Sequence, residues 1–243
     1  MLRSVFGLLG LLPKAWRRAL VRWFLDIVWN RFTDTSVSGV EHIPDGPCLF
    51  IANHLSNADA VSIYRALRPR RVHFLAGVKL KGTTLTRVVM EALDTIPIKP
   101  DSPDVEALKR AVDTLRHGKS VLIFPEGTRS RTGRMQRGKR GAALIAKRSG
   151  VPIVPIALTG TEQFLPINDS NMGGEQMRHA NVTITVGKPF QLDQLSYTVA
   201  EGQDERQAMV DAMMLRLAEL LPPAYRGVYD EPADVAAGEQ VHA

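Results

Sequence analysis

The feature that most constrains this chain is a rhythm that begins near residue 37. Short, wholly apolar runs alternate with longer stretches whose apolar residues recur every three or four positions. Residues 48–52 (Cys-Leu-Phe-Ile-Ala), 120–124 and 151–158 have almost no polar position. A strand with one wetted face would alternate, so these runs read as strands covered on both faces. Between them, residues 59–67, 83–93, 104–117, 138–148 and 205–221 read as helices. The clearest is 104–117, where Val105, Leu108, Val112 and Leu115 mark one face and Gly118 can close the end. Residues 37–40, 71–76, 95–98 and 182–186 add shorter strands, with a turn at 44–47. Buried strands joined by helices imply an α/β fold: a single mixed sheet flanked by helices, with reactive loops at strand ends. Residues 166–180 are polar and read as a loop insertion over one edge.

The expected organisation is an amino-terminal segment (1–34), one α/β domain (35–221) and a flexible tail (222–243) rich in Ala, Gly, Asp and Glu. Residues 5–12 are apolar but too few to span a bilayer, and their charges follow the apolar stretch, unlike a signal peptide. In residues 14–32, Trp16, Leu20, Trp23, Phe24, Ile27 and Val28 recur at helical spacing, with Lys14, Arg17, Arg18 and Arg22 between them. All three tryptophans of the chain fall here, and residues 1–32 hold six basic side chains against Asp26. This is the pattern of an amphipathic helix on an anionic membrane surface. It is also the pattern of a surface helix packed on the core with a basic outer face.

Thirty-one Lys and Arg against 25 Asp and Glu give a formal charge of +6, which favours an anionic partner: nucleic acid, anionic lipid or a phosphorylated substrate. The basic clusters lack interleaved aromatics near residues 126–140 and match no nucleic-acid motif, so no nucleic-acid partner is expected. Cys48 is the sole cysteine, which excludes an internal disulfide and a thiolate zinc site; its apolar setting marks a buried structural thiol.

Two clusters carry chemistry. In Asn53-His54-Leu55-Ser56-Asn57-Ala58-Asp59, His54 and Asp59 follow a buried strand and precede a helix. On one regular helix they would diverge by about 140°. They meet only if His54 lies in the loop and Asp59 in the first turn, where the carboxylate can orient the imidazole as a general base. No G-x-S-x-G elbow is present, so the nucleophile of such a base would belong to the substrate. The same residues also read as a loop histidine and a helix-capping aspartate. In Phe124-Pro125-Glu126-Gly127-Thr128-Arg129-Ser130, Gly127 can turn the backbone and expose N–H groups, Thr128 brings a hydroxyl and Arg129 a guanidinium fork. These make a phosphate cradle, or, with Arg131, Arg134, Arg137, Lys139 and Arg140, a solvated basic loop.

Together, NHLSNAD and FPEGTRS resemble the signature of the lysophosphatidate (1-acylglycerol-3-phosphate) acyltransferase family, with Glu126 72 positions after His54. Residues 153–157 (Ile-Val-Pro-Ile-Ala) and 138–142 (Gly-Lys-Arg-Gly-Ala) are similar to further family segments, and the resemblance covers residues 35–190. It implies His54 as base, Asp59 as its partner, and Glu126, Gly127, Thr128 and Arg129 as ligands of the acceptor's glycerol phosphate. Lys99, in Thr95-Ile96-Pro97-Ile98-Lys99, stands where relatives carry arginine and is a further phosphate ligand as a point charge. Ala76-Gly77-Val78-Lys79-Leu80 departs from the relatives' A-K-x-E-L, which bears on the choice of acceptor. The resemblance implies transfer of an acyl group from acyl-CoA or acyl carrier protein to 1-acylglycerol 3-phosphate, on the cytoplasmic face of a membrane, with no metal or bound cofactor. A different lysophospholipid or a glycolipid as acceptor, or a non-catalytic lipid-binding module, are the alternatives.

Overall fold

The computed structural model describes residues 13–77, 89–90, 92–99, 104–167, 175–199, 202 and 204–230. Among these, helix α1 (Lys14–Phe32) leads into β1 (Thr33–Ser38), β2 (Leu49–Ala52), α2 (Asp59–Ala66), β3 (Val72–Gly77) and β4 (Thr95–Ile98). Then follow α3 (Val105–Arg116), β5 (Ser120–Ile123), α4 (Gly141–Ser149), β6 (Ile153–Thr159), α5 (Thr161–Phe164), β7 (Ala180–Val186), α6 (Glu205–Ala218) and α7 (Pro223–Arg226).

The strands form one sheet in the order β1-β7-β6-β2-β5-β3-β4. Five of them, β6 through β4, are mutually parallel; β7 runs antiparallel to β6, and β1 pairs parallel with β7. The sheet is therefore mixed, as the sequence implied. Side chains alternate across it. Leu49 and Ile51 of β2 join a core with Val112, Ile145 and Met213 of α3, α4 and α6, while Phe50 and Ala52 join another with Trp29, Ile63 and Phe164 of α1, α2 and α5. Cys48 is wholly buried beside Ser120, and burial raises its thiol pKa. That is the structural thiol expected.

Several boundaries differ from the sequence reading. The first strand is residues 33–38, not 37–40, and residues 40–42 form a 3₁₀ turn. Thr-Asp-Thr-Ser carries no apolar alternation because five of the six residues of this edge strand are exposed. The helix expected from 138 begins at Gly141, because the amides of Gly138 and Lys139 bond to Tyr229 and Pro125 instead of to a helical turn. The tail expected from 222 is folded up to residue 230, through α7 and a 3₁₀ turn at Gly227–Tyr229, since the Tyr225 and Tyr229 hydroxyls find half-buried carboxylate partners in Glu162 and Asp211. Residues 231–243, most of the helix expected at 83–93 and the centre of the 166–180 loop lie outside the described residues, as does Lys79.

Helix α1 corrects the expected basic outer face. Arg18 pairs with Asp94, and Arg22 donates to the Ala92 carbonyl at 2.7 Å. Asp26 pairs with Arg65 and with Arg68, the latter at 2.8 Å. Buried Trp29 donates to the Thr35 hydroxyl at 2.7 Å and meets Phe164 edge-on. These polar tethers turn the other side outward, so Trp16, Trp23 and Phe24 are 72, 60 and 53% exposed, with Leu20 and Ile27 in the same stripe.

Candidate active site

Three adjacent parallel strands, β6, β2 and β5, end on one rim of the sheet, and the residues that follow them build the site. At the exit of β2, Asn53 is wholly buried. Its amide donates to the Leu158 carbonyl at 2.9 Å and accepts from the Leu158 N–H at 2.8 Å. That double bond to β6 fixes where the chain leaves the sheet and where His54 starts.

His54 and Asp59 do meet, with His54 in the loop and Asp59 opening α2. Nδ1 of His54 donates to Asp59 Oδ2 at 2.8 Å. The same oxygen accepts the amides of Leu55 and Ser56 at 2.6 and 2.9 Å, and Oδ1 accepts the Thr161 hydroxyl at 2.5 Å. Four donors converge on a carboxylate that is fully buried, the arrangement that offsets its lost hydration. With the carboxylate as acceptor Nδ1 carries the proton, and among the described residues Nε2 makes no hydrogen bond. The imidazole lies flat against Phe124, centroids 4.1 Å apart and planes 14° from parallel, so its orientation is fixed from two directions.

The second motif follows β5 and locks onto the first. Ser130 donates its amide to the His54 carbonyl at 2.7 Å. Glu126 Oε1 accepts the His54 amide and Oε2 accepts the Gln136 amide, both at 2.9 Å. Glu126 is 2% exposed and both of its oxygens are taken by main-chain amides, so it ties the two loops together. Burial pushes its pKa up to about 7; the two N–H groups oppose that rise, and the charge of Asp59 adds to it.

Gly127 turns the chain at φ +70°, in the left-handed region. Its own amide donates to the Phe124 carbonyl at 2.9 Å, so that N–H closes the turn and does not face a ligand. Thr128 is exposed. Arg129 is part-buried and pairs with Glu175 at 3.4 Å; Glu175 in turn accepts from the Asn57 amide group at 2.8 Å. Arg137 and Arg140 pair at the surface with Asp211 and Asp204 of the α6 region, as members of a solvated basic loop would. Lys139 lies across the turn instead: a Cβ on Gly127 would come within 2.9 Å of its Nζ. Lys99 follows β4 on the same rim but two strands beyond β5, roughly 10 Å along the sheet. The structure does not bring it into the cluster.

Sequence reasoning missed Thr161, Asn53 and Gln136. Asn53 stood inside a motif. Thr161 had no signal, since its role depends on β6 lying beside β2.

Among the described residues, a histidine at the strand rim is thus oriented by a buried carboxylate through Nδ1 and by Phe124 against its ring. The sequence matches the acyltransferase family model over residues 34–159, which span both motifs, and the chain belongs to that family. A chloroplastic 1-acyl-sn-glycerol-3-phosphate acyltransferase of Brassica napus is 34% identical over 164 residues, covering 65% of this chain and 46% of that protein. A 1-acyl-sn-glycerol-3-phosphate acyltransferase of Bacillus subtilis is 25% identical over 197 residues, covering 81% and 92%. The chain thus spans less than half of the plant relative and nearly all of the bacterial one. The fold is shared with the 1-acyl-sn-glycerophosphate (LPA) acyltransferase PlsC from Thermotoga maritima, at a TM-score of 0.64 and 22% identity, over 85% of this chain and 79% of that one.

Proposed function

We propose that this protein transfers a fatty acyl group from a thioester, of CoA or of acyl carrier protein, to the free hydroxyl of 1-acylglycerol 3-phosphate, giving phosphatidic acid. The observation that carries the reading is the His54–Asp59 pair, whose Nδ1 is committed and whose Nε2 is left for substrate. Nε2 takes the hydroxyl proton as the oxygen attacks the thioester carbonyl. The tetrahedral intermediate then expels the thiolate as the C–S bond breaks, and the proton passes from Nε2 to sulfur. Buried Asp59 stabilises the imidazolium between the two transfers. The acceptor's phosphate is read at the Gly127 turn, by Arg129, the Thr128 hydroxyl and the Lys139 ammonium. Relatives of this chain are named for this acceptor.

The outward stripe of α1 seats the protein on a bilayer, at the cytoplasmic face where acyl thioesters are made. An apolar stripe of this size facing water fits insertion at an interface. Among the described residues no helix is long and apolar enough to cross a membrane. The stripe lies on the surface, with the acceptor reaching the rim from the lipid.

The test is product mass spectrometry with purified protein, lysophosphatidate among a panel of lysolipids, and each thioester in turn. Phosphatidate is expected, and His54→Ala should lower turnover by about 10²–10⁴ with the melting temperature unchanged. Arg129→Ala and Lys139→Met should each raise the acceptor KM while leaving the donor KM alone. Near-normal transfer by His54→Ala, or no phosphatidate with either donor, would overturn the reading.

A further inference from the structure

Residues 222–230 touch both supports of the catalytic pair. The Tyr225 carbonyl accepts the Met135 amide at 2.8 Å, and the next amide, that of Gln136, is the one that holds Glu126. The Tyr225 hydroxyl donates to Glu162 Oε1 at 2.8 Å, and the preceding residue, Thr161, is the one whose hydroxyl holds Asp59. Tyr229 adds a second tie to the loop: its hydroxyl accepts the Gly138 amide at 3.0 Å and donates to Asp211 at 2.9 Å. The approach is close. At Gly227, whose φ is +57°, a Cβ would fall 2.1 Å from the Met135 carbonyl oxygen.

We propose that this carboxyl-terminal segment is a brace for the active site and that Tyr225 is its positioning residue, acting on His54 through Thr161–Asp59 on one side and Gln136–Glu126 on the other. Glu162 shows why the hydroxyl matters. Its Oε2 is buried without a hydrogen-bond partner among the described residues, so the Tyr225 hydroxyl on Oε1 is the hydrogen bond that holds this side chain. Without that hydroxyl, Glu162 must seek water, and the first turn of α5 moves with it. Thr161 then leaves Asp59, and the imidazole loses one of its fixed directions. Burial and the Glu162 charge raise the Tyr225 pKa to about 12, so the hydroxyl stays a neutral donor over the working range.

The proposal rests on the acyl-transfer reading only for its kinetic readout. Tyr225→Phe should lower kcat about tenfold while both KM values stay within about twofold, because the loss falls on the transition state. The downfield proton resonance of the His54 Nδ1–H, identified by its absence in His54→Ala, should shift or broaden in Tyr225→Phe well below the melting temperature. That signal needs no substrate, so it tests the brace even if phosphatidate formation fails. Should Tyr225→Phe not fold, Tyr229→Phe carries the same two measurements through the Gly138 tie. An unchanged His54 resonance, or an unchanged kcat in a folded variant, overturns the proposal.

Discussion

Glu126 carries a carboxylate that is 2% exposed between the two motif loops. A carboxylate beside glycine, threonine and arginine resembles part of a ligand shell, yet both of its oxygens take main-chain amides from two different loops. The consequence is a pH dependence of stability. Its pKa is about 7 in the folded protein, against about 4.5 unfolded, so the folded state holds the proton more tightly. Stability from this group is full below the ordinary carboxylate range, falls as pH rises toward 7, and levels off above it. The difference is about 3 kcal/mol. Urea unfolding at pH 4.5 and 7.5 should show that fall in the wild type and a smaller one in Glu126→Gln. Glu126→Gln should also slow turnover, because an amide can accept only one of the two N–H groups and sets its NH₂ against the other. His54 and Asp59 were legible by contrast, since their spacing admits one meeting geometry, and the structure shows it.

Helix α1 shows what periodicity can and cannot say. The stripe of Trp16, Leu20, Trp23, Phe24 and Ile27 was visible in the sequence, but which way it faces was not. That is decided by Asp94, Ala92, Arg65 and Arg68, distant in sequence, which capture the polar side. Two sets of substitutions separate the faces. Arg18→Glu with Arg22→Glu places like charges against Asp94 and should destabilise docking by about 1–3 kcal/mol, seen as a lower melting temperature. Trp16→Gln, Trp23→Gln and Phe24→Gln together should leave melting unchanged and weaken vesicle binding by at least about tenfold. With Arg18 and Arg22 facing inward, neutral vesicles should retain much of the binding. Complete loss on neutral vesicles would assign the contact to outward charge. The buried runs of β2, β5 and β6 were legible as elements because no polar residue interrupts them. The edge strand β1 was misplaced because its exposed positions follow no alternation.

At the scale of the molecule, the site sits where the most buried strands end. β2 and β5 are buried at every position, and β6 at all but its last. Amide exchange should therefore be slowest along β2, β5 and β6, and faster in β1 by several orders of magnitude, as mass spectrometry of deuterated peptides can check. Comparable exchange in β1 would mean that the sheet opens as one unit. The sequence could place both motifs at strand ends but could not order the strands, so the neighbourhood of Thr161 and Asp59 stayed hidden until β6 was found beside β2. The setting of α1 also gives the protein a built-in optical probe. Its three tryptophans occupy one helix, two of them largely in water and Trp29 3% exposed against Phe164. Ultraviolet emission is thus a sum of two red-shifted components and one blue-shifted component. Lipids brominated on their acyl chains should quench the first two and spare the third, so the unquenched fraction reports how the helix lies without any label.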